Sequence, residues 1–418
     1  MSSYNLVVFV FVFCSAFCQG FLPFPFSVNS KNQKGSSGIS SNLDSTIVFR
    51  VHGNVYPTGY FYTTIKMGEP PRPYDLDIDT GSDLTWVHCD APCVNCPKSP
   101  HQPYKPRNNV LTCEESMCTI LQQPTNYPCE SPNDQCDYEI EYADHGSSFG
   151  VVVKDSFSFE LLNGSTGSPS LAFGCGYDQD LSASSSPPFV DGVIGLANRK
   201  SSLLSQLYDL RIVRNVFGHC FSGQGGGYLF FGDKIIPSEI VWVPLSKNRI
   251  GNYYLIGPAE LLFNGQKVVK DGFSFVLDSG STYSYLNGEV YDAVISMIKK
   301  NIDAKQLKLA REDKTLPLCW KGTKSFKSIN DVRKFFKPLS LRFSKAKNAM
   351  MELPPENYLI VTKNGNVCLG ILDGSEAELG NLNVLGDISM LNKMMIYDNE
   401  KNQIGWTTTS NCNDMPKL

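Results

Sequence analysis

The chain of 418 residues has no excess of positive charge: 37 Lys and Arg face 41 Asp and Glu, for a net −4. That balance supplies no basic field for a nucleic-acid partner. Apolar runs of membrane-spanning length are also missing, since the one candidate, Leu6 to Phe17, is too short to cross a bilayer unaided. No membrane partner is expected. Lys and Arg are absent ahead of this run, yet its length fits a secretory signal over residues 1–20, cleaved after Cys18 or Gly20; a buried N-terminal strand is the alternative. Metal-ligand spacing is sparse. Cys93-Val94-Asn95-Cys96 could be half of a zinc site, but no second Cys pair or His pair stands at finger distance. Neither a metal nor a cofactor is expected.

What is plentiful points elsewhere. Gly (34), Pro (25), Phe (25) and Tyr (19) between short apolar runs favour β-rich structure over helical bundles. Fourteen cysteines are too many for a reducing compartment, which independently supports a secretory chain. Loss of Cys14 and Cys18 with the signal leaves an even set, crowded at Cys89, Cys93, Cys96, Cys113, Cys118, Cys129 and Cys136. Their pairing cannot be chosen from spacing alone.

After the signal, residues 21–54 are Ser-, Asn- and Lys-rich and read as a short propeptide-like segment. From Tyr60 the residues alternate toward a turn at Glu69 to Pro73 and resume into Asp79, as in a hairpin. Helical spacing occurs at Ser201 to Leu210 and at Gly288 to Lys300, where Val290, Val294, Ile295 and Ile298 share a face. Ser182 to Pro188 reads as a surface loop. A junction near Pro244 to Asn252 divides an N-terminal lobe, 55–245, from a C-terminal lobe, 246–412, with a tail at 413–418.

The strongest functional signal is a repetition. Ile78-Asp79-Thr80-Gly81-Ser82 and Leu277-Asp278-Ser279-Gly280-Ser281 each place a carboxylate after an apolar run, then a hydroxyl residue, a glycine and a second hydroxyl residue. One such segment is most often an ordinary turn. Two, about 200 residues apart, suggest duplicated lobes that each deliver one carboxylate to a shared cleft. Carboxylates about 3 Å apart cannot both ionise, so they share a proton, and one acts as base while the other acts as acid. Val193-Ile194-Gly195 and Val384-Leu385-Gly386 repeat in step with them.

Together with Tyr74 to Trp86, Tyr138 to Asp144, Asp191 to Leu196, Asp278 to Tyr283 and Val384 to Asp387, these motifs resemble the pepsin-type aspartic proteases, in the plant nucellin-like and nepenthesin-like branch, over Val55 to Cys412. The resemblance implies an all-β, bilobal fold with a few short helices and a cysteine-rich insertion in the N-terminal lobe. It implies Asp79 and Asp278 as the catalytic pair, supported by Thr80, Gly81, Ser82, Ser279, Gly280 and Ser281, and Tyr142 on a closing flap bonded to Trp86. His145 departs from the small residue the flap would carry. The implied disulfides are Cys89 with Cys93, Cys96 with Cys175, Cys113 with Cys136, Cys118 with Cys129, Cys220 with Cys412 and Cys319 with Cys368. Asn163-Gly164-Ser165 is a glycosylation sequon in a turn-like segment.

These readings lead to a secreted, monomeric aspartic endopeptidase of the apoplast or vacuole, acting on extended polypeptides at acid pH and blocked by pepstatin-type inhibitors. A rival is a catalytically inactive binding or inhibitor protein on the same scaffold, since relatives of this branch include plant inhibitors of microbial glycanases. A structural protein of the cell wall would explain the cysteines but not the paired motifs.

Overall fold

The computed structural model describes residues 45–121, 129–180, 188–246, 253–346, 349–375, 377, 379, 381–409 and 411–415. The expected signal, most of the prosegment-like stretch, the Ser/Pro-rich loop before Pro188 and the centre of the lobe junction lie outside the described residues. All the described residues fall in one compact unit, Ile39–Leu418.

Alternation builds the strands that lead to the site. In Tyr60–Met67 the side chains of Phe61, Thr63, Ile65 and Met67 are buried, while Thr64 and Lys66 are exposed. Arg72–Asp79 pairs with it antiparallel, Tyr62 opposite Asp77. Tyr74, Leu76 and Ile78 enter the core, so the pleat turns Asp75, Asp77 and Asp79 to the opposite face.

The molecule is mostly β-sheet, with few and short helices. A 14-stranded sheet runs from Val241–Pro244 at one end to Asp137–Glu141 at the other. An eight-stranded and a four-stranded sheet are built from the C-terminal half. The large sheet is not confined to the N-terminal half, because Lys393–Asp398 pairs with Val216–Phe221 and Gln403–Thr408 pairs with Val241–Pro244. Ile47–Asn54 belongs to it as well, between Gly227–Phe231 and Tyr60–Met67. The last residues of the expected propeptide-like segment, 21–54, are thus an ordered strand of this sheet. The reason is local: Ile47 and Val51 alternate with exposed positions and are buried.

The two expected helices form as Leu203–Asp209 and Gly288–Asn301, started by Ser202 and Asn287, whose side chains accept backbone N–H groups. Val290, Val294, Ile295 and Ile298 are the buried face of the second. Among the described residues no helix is long and apolar enough to cross a membrane.

Four of the implied disulfides are replaced. Cys89 bonds Cys175 rather than Cys93, and Cys93 bonds Cys96. Cys113 bonds Cys129 and Cys118 bonds Cys136, in place of Cys113 with Cys136 and Cys118 with Cys129. The strand Trp86–His88 runs parallel to Ser170–Asp180, with Val87 opposite Cys175, which brings the next cysteine, Cys89, to a Cα separation of 4.8 Å from Cys175. Likewise the short helix Ser116–Leu121 turns Cys118 inward to meet the buried Cys136, leaving Cys113 to Cys129. Cys220 with Cys412 and Cys319 with Cys368 are bonded.

Beneath the site lies an aromatic layer drawn from both halves of the chain. Phe61 stacks on Phe221 at 4.3 Å, His219 on Phe221 at 4.1 Å, and Phe217 on Tyr397 at 4.4 Å. Tyr254 meets Tyr397 edge-on, and its hydroxyl donates to the Leu196 carbonyl at 2.9 Å. His219 is fully buried here, its Nε2 3.1 Å from the Tyr397 hydroxyl, and burial pushes its pKa down to about 3. The unfolded chain takes up that proton near its ordinary value of about 6.5, so His219 costs stability as pH falls from there to about 3. His219→Phe should therefore gain in melting temperature relative to the parent as pH falls from about 7 to about 3.5. Parallel thermal scans across that range check it, and a constant offset would show that His219 does not titrate in this way.

Candidate active site

Each aspartate stands where a strand ends and the chain must turn, Asp79 as the last paired residue of its strand and Asp278 one residue beyond its own. Asp79 ends Arg72–Asp79, which runs parallel to Gly192–Gly195 with Ile78 opposite Ile194. Asp278 follows Phe273–Leu277, which runs parallel to Asn383–Leu385 with Leu277 opposite Leu385. The backbone continues the match: Leu196 N donates to the Asp79 carbonyl at 2.8 Å, and Asp278 N donates to the Leu385 carbonyl at 3.1 Å. Gly195 permits this approach, since a Cβ there would lie 2.5 Å from the Asp83 backbone.

The turns lock onto each other. Thr80 N donates to Ser279 Oγ at 3.1 Å and Ser279 N to Thr80 Oγ1 at 3.0 Å. Thr80 Oγ1 donates to the Leu277 carbonyl at 3.0 Å, and Ser279 Oγ to the Ile78 carbonyl at 2.8 Å. Both side chains are buried, and all four bonds cross between the halves of the chain.

Each carboxylate is held in the same way. Gly81 N donates to Asp79 Oδ1 at 2.7 Å and the Ser82 hydroxyl bonds Asp79 Oδ2. Gly280 N donates to Asp278 Oδ1 at 3.0 Å and Ser281 Oγ to Asp278 Oδ2 at 2.7 Å. The glycines mark how close the carboxyls come. A Cβ on Gly81 would stand 2.7 Å from Asp278 Oδ1, and one on Gly280 2.5 Å from Asp79 Oδ1. Each carboxyl acts directly on the other. Burial raises both pKa values, and for Asp79 the charge of Asp278 adds to it, so the pair keeps a proton that two separate carboxyls would release.

Over this pair lies a hairpin of Asp137–Glu141 and Ser147–Glu160, with Glu141 opposite Ser147. Its tip is closed by Tyr142 N on the Gly146 carbonyl at 2.8 Å and His145 N on the Tyr142 carbonyl at 3.0 Å. His145 takes φ +65°, the left-handed conformation that favours a residue without a bulky side chain. Trp86 Nε1 donates to the Tyr142 hydroxyl at 2.7 Å. Burial, then the nearby Asp79 charge, raises the Tyr142 pKa well above its usual value, which keeps the phenol neutral. Asn163 lies away from this region in an exposed turn, its Oδ1 accepting from Ser165 N at 3.0 Å.

Two further carboxyls adjoin the pair, and motif reading assigned them no role. Asp387 is 1% exposed and neither of its oxygens has a hydrogen-bond partner, while Asp77 keeps one buried oxygen unpartnered. Burial raises both pKa values well above the carboxylate range; Asp79 adds to this for Asp77, and Asp77 and Asp278 for Asp387. The sequence offered one signal for Asp77: it stands two residues before Asp79 on the same strand face.

This geometry defines the bilobal, pepsin-like class built around a carboxylate pair. Family models described as xylanase inhibitor N-terminal and xylanase inhibitor C-terminal match residues 61–233 and 257–408. An aspartic proteinase of Oryza sativa subsp. japonica is 43% identical over 386 residues, covering 89% of this chain and 93% of the relative. The aspartic proteinase nepenthesin-2 of Nepenthes gracilis is 24% identical, covering 84% and 78%. Among solved structures, basic 7S globulin from soybean superposes with a TM-score of 0.71 at 17% identity, covering 89% of this chain and 99% of the globulin. The chain belongs to the plant branch of the pepsin-like aspartic protease family.

Protonated carboxyls buried in the native state bind protons that the unfolded chain releases above about pH 4. Their contribution to stability is complete below that pH and is lost as pH rises through the raised native values of Asp77, Asp79, Asp278 and Asp387. Asp387→Asn, which keeps the shape without the titration, should reduce the fall in melting temperature between about pH 4 and about pH 7. Calorimetry on parent and variant checks it; equal slopes would remove Asp387 from the proton-holding set.

Proposed function

We propose that the protein is an aspartic endopeptidase that hydrolyses peptide bonds of extended polypeptides at acid pH. The observation that supports this most is the completeness of the pair: both aspartates, both glycines and all four hydroxyls are present and bonded. Water is the nucleophile. The ionised member of the pair takes a proton from it as its oxygen bonds the scissile carbon, while the protonated member gives its proton to the carbonyl oxygen. The tetrahedral intermediate then collapses: the C–N bond breaks, a proton passes to the leaving amine, and the pair is left with one proton again. No covalent enzyme intermediate arises.

Closure of the hairpin over the substrate excludes water and strengthens the field at the reacting atoms. The Trp86 bond to Tyr142 holds the flap tyrosine toward the pair. The working form carries one proton on two carboxyls, which fits activity at acid pH, and the disulfide count fits a secreted monomer of the apoplast or vacuole.

A non-catalytic binding role is the second reading. It is favoured by the xylanase inhibitor family models and by the seed globulins that share the fold. The intact pair argues against it.

The test is digestion of denatured globin between about pH 2.5 and about pH 7, with and without pepstatin, alongside Asp79→Asn and Asp278→Asn. Acid cleavage blocked by pepstatin and reduced about 10²–10⁴-fold or more in each variant is expected. A folded protein that cleaves at no pH would leave the binding reading. Gly280→Ala places a methyl group against Asp79 Oδ1 and should also lower kcat by at least about 10²-fold, with circular dichroism unchanged. Parent-like turnover in that variant would mean that the carboxyls do not need this close an approach.

A further inference from the structure

On the Asp278 side of the pair the cleft opens into a cavity of ≈ 450 Å³. Its size is that of a small-ligand site, ample for one long side chain. Val276, Leu382 and Val384 give it aliphatic walls, and Tyr253 and Tyr285 give it aromatic ones. The flap tip contributes Ala143, Asp144 and His145 to its lining, and the second catalytic turn contributes Asp278 and Ser281.

We infer that Asp144, at the tip of the flap, makes this cavity select a substrate residue with a long basic side chain, lysine or arginine. The inference rests on the endopeptidase reading for its substrate and on the cavity for its chemistry.

Apolar and aromatic walls with a carboxylate among them match a side chain whose methylene stem seeks apolar cover and whose head is cationic. The tyrosine rings add faces on which a cation is attracted. The charges also agree. Asp144 and Asp278 both line the cavity, and no Lys or Arg is among its described lining residues. After burial, the charges of Asp144 and then Asp278 hold the Tyr285 hydroxyl above its usual range, so both carboxylates act on that ring. His145 lines the same tip but is engaged by other groups of the protein.

Asp144 is fixed rather than free to swing. Its Oδ1 accepts from Gly146 N at 3.0 Å, a bond that shapes the tip. Because it rides on the flap, the carboxylate reaches the substrate as the hairpin closes. A substrate glutamate in this cavity would meet the like charge of Asp144; a leucine would fill the walls without using Asp144.

Asp144→Asn separates charge from shape, since the amide oxygen can still accept from Gly146 N. The experiment uses the full chain and peptides that carry a hydroxyethylene unit in place of the scissile amide, with Lys, Leu or Glu at each flanking position in turn. Affinities are measured by calorimetry at about pH 5, where free aspartate side chains carry charge. At one flanking position the parent should bind the lysine peptide about tenfold more tightly than the glutamate peptide, and Asp144→Asn should reduce that ratio to about twofold. Equal affinities in the parent, no measurable binding, or a preference that survives the substitution would overturn the inference. Binding with the expected ratio, but no cleavage of the matching amide peptides, would support the cavity's selectivity while removing the endopeptidase reading.

Discussion

The structure depends on four hydrogen bonds between two hydroxyl residues and the backbone of the opposite turn. Thr80 and Ser279 each donate an N–H to the other's hydroxyl and a hydroxyl to the strand beyond. A hydroxyl serves because it can accept and donate at once. Buried polar groups of this kind are costly if left unpaired, so the four bonds form together or the turns separate. Their closure brings Asp79 and Asp278 to the spacing that makes them a single acid–base unit. Everything outside them, from the parallel strands behind each turn to the glycines beside each carboxyl, keeps two chain segments from far apart in that one position.

Burial gives the same region opposed responses to acidity. Four carboxyls under or beside the flap hold protons more tightly than free ones, and acid favours the native state through them. His219, one layer below in the aromatic stack, is held neutral and works in the other direction. Asp313 also opposes the carboxyls: four side chains, Thr315, Thr362, Asn364 and Asn366, bond it, and it stays ionised well below the usual range. The fold is thus not uniformly an acid fold. Its cleft favours low pH, while its base and its C-terminal half carry groups that set a lower bound.

What could be read from the sequence follows what is local. Asp79 and Asp278 were legible because the turn that presents them is written twice, and the helix Gly288–Asn301 because its buried face has a simple period. Tyr142 and Trp86 were named through the resemblance, and their hydroxyl–indole bond is a tertiary fact. The cysteine pairs were not legible, since Cys89 meets Cys175 only after Trp86–His88 has aligned with Ser170–Asp180. Asp77 and Asp387 stood inside recognised motifs, yet nothing in their immediate neighbours says that they would be buried beside the pair as a third and a fourth carboxyl. Ile47–Asn54 was hidden by the polar stretch before it, because its alternation spans a single strand.

The large sheet carries a consequence for how the chain is made. Lys393–Asp398 forms the outer neighbour of Val216–Phe221, and Cys220 finds its partner only at Cys412. While the ribosome is still adding the second half, the first half presents a strand of six buried residues with one edge unpaired and a free thiol beside it. Such an edge invites pairing with another nascent chain, and such a thiol invites a wrong bridge. The half of the molecule synthesised first is therefore completed by strands and a cysteine that lie beyond the whole eight-stranded sheet in sequence, so its folding must wait for their synthesis rather than proceed lobe by lobe.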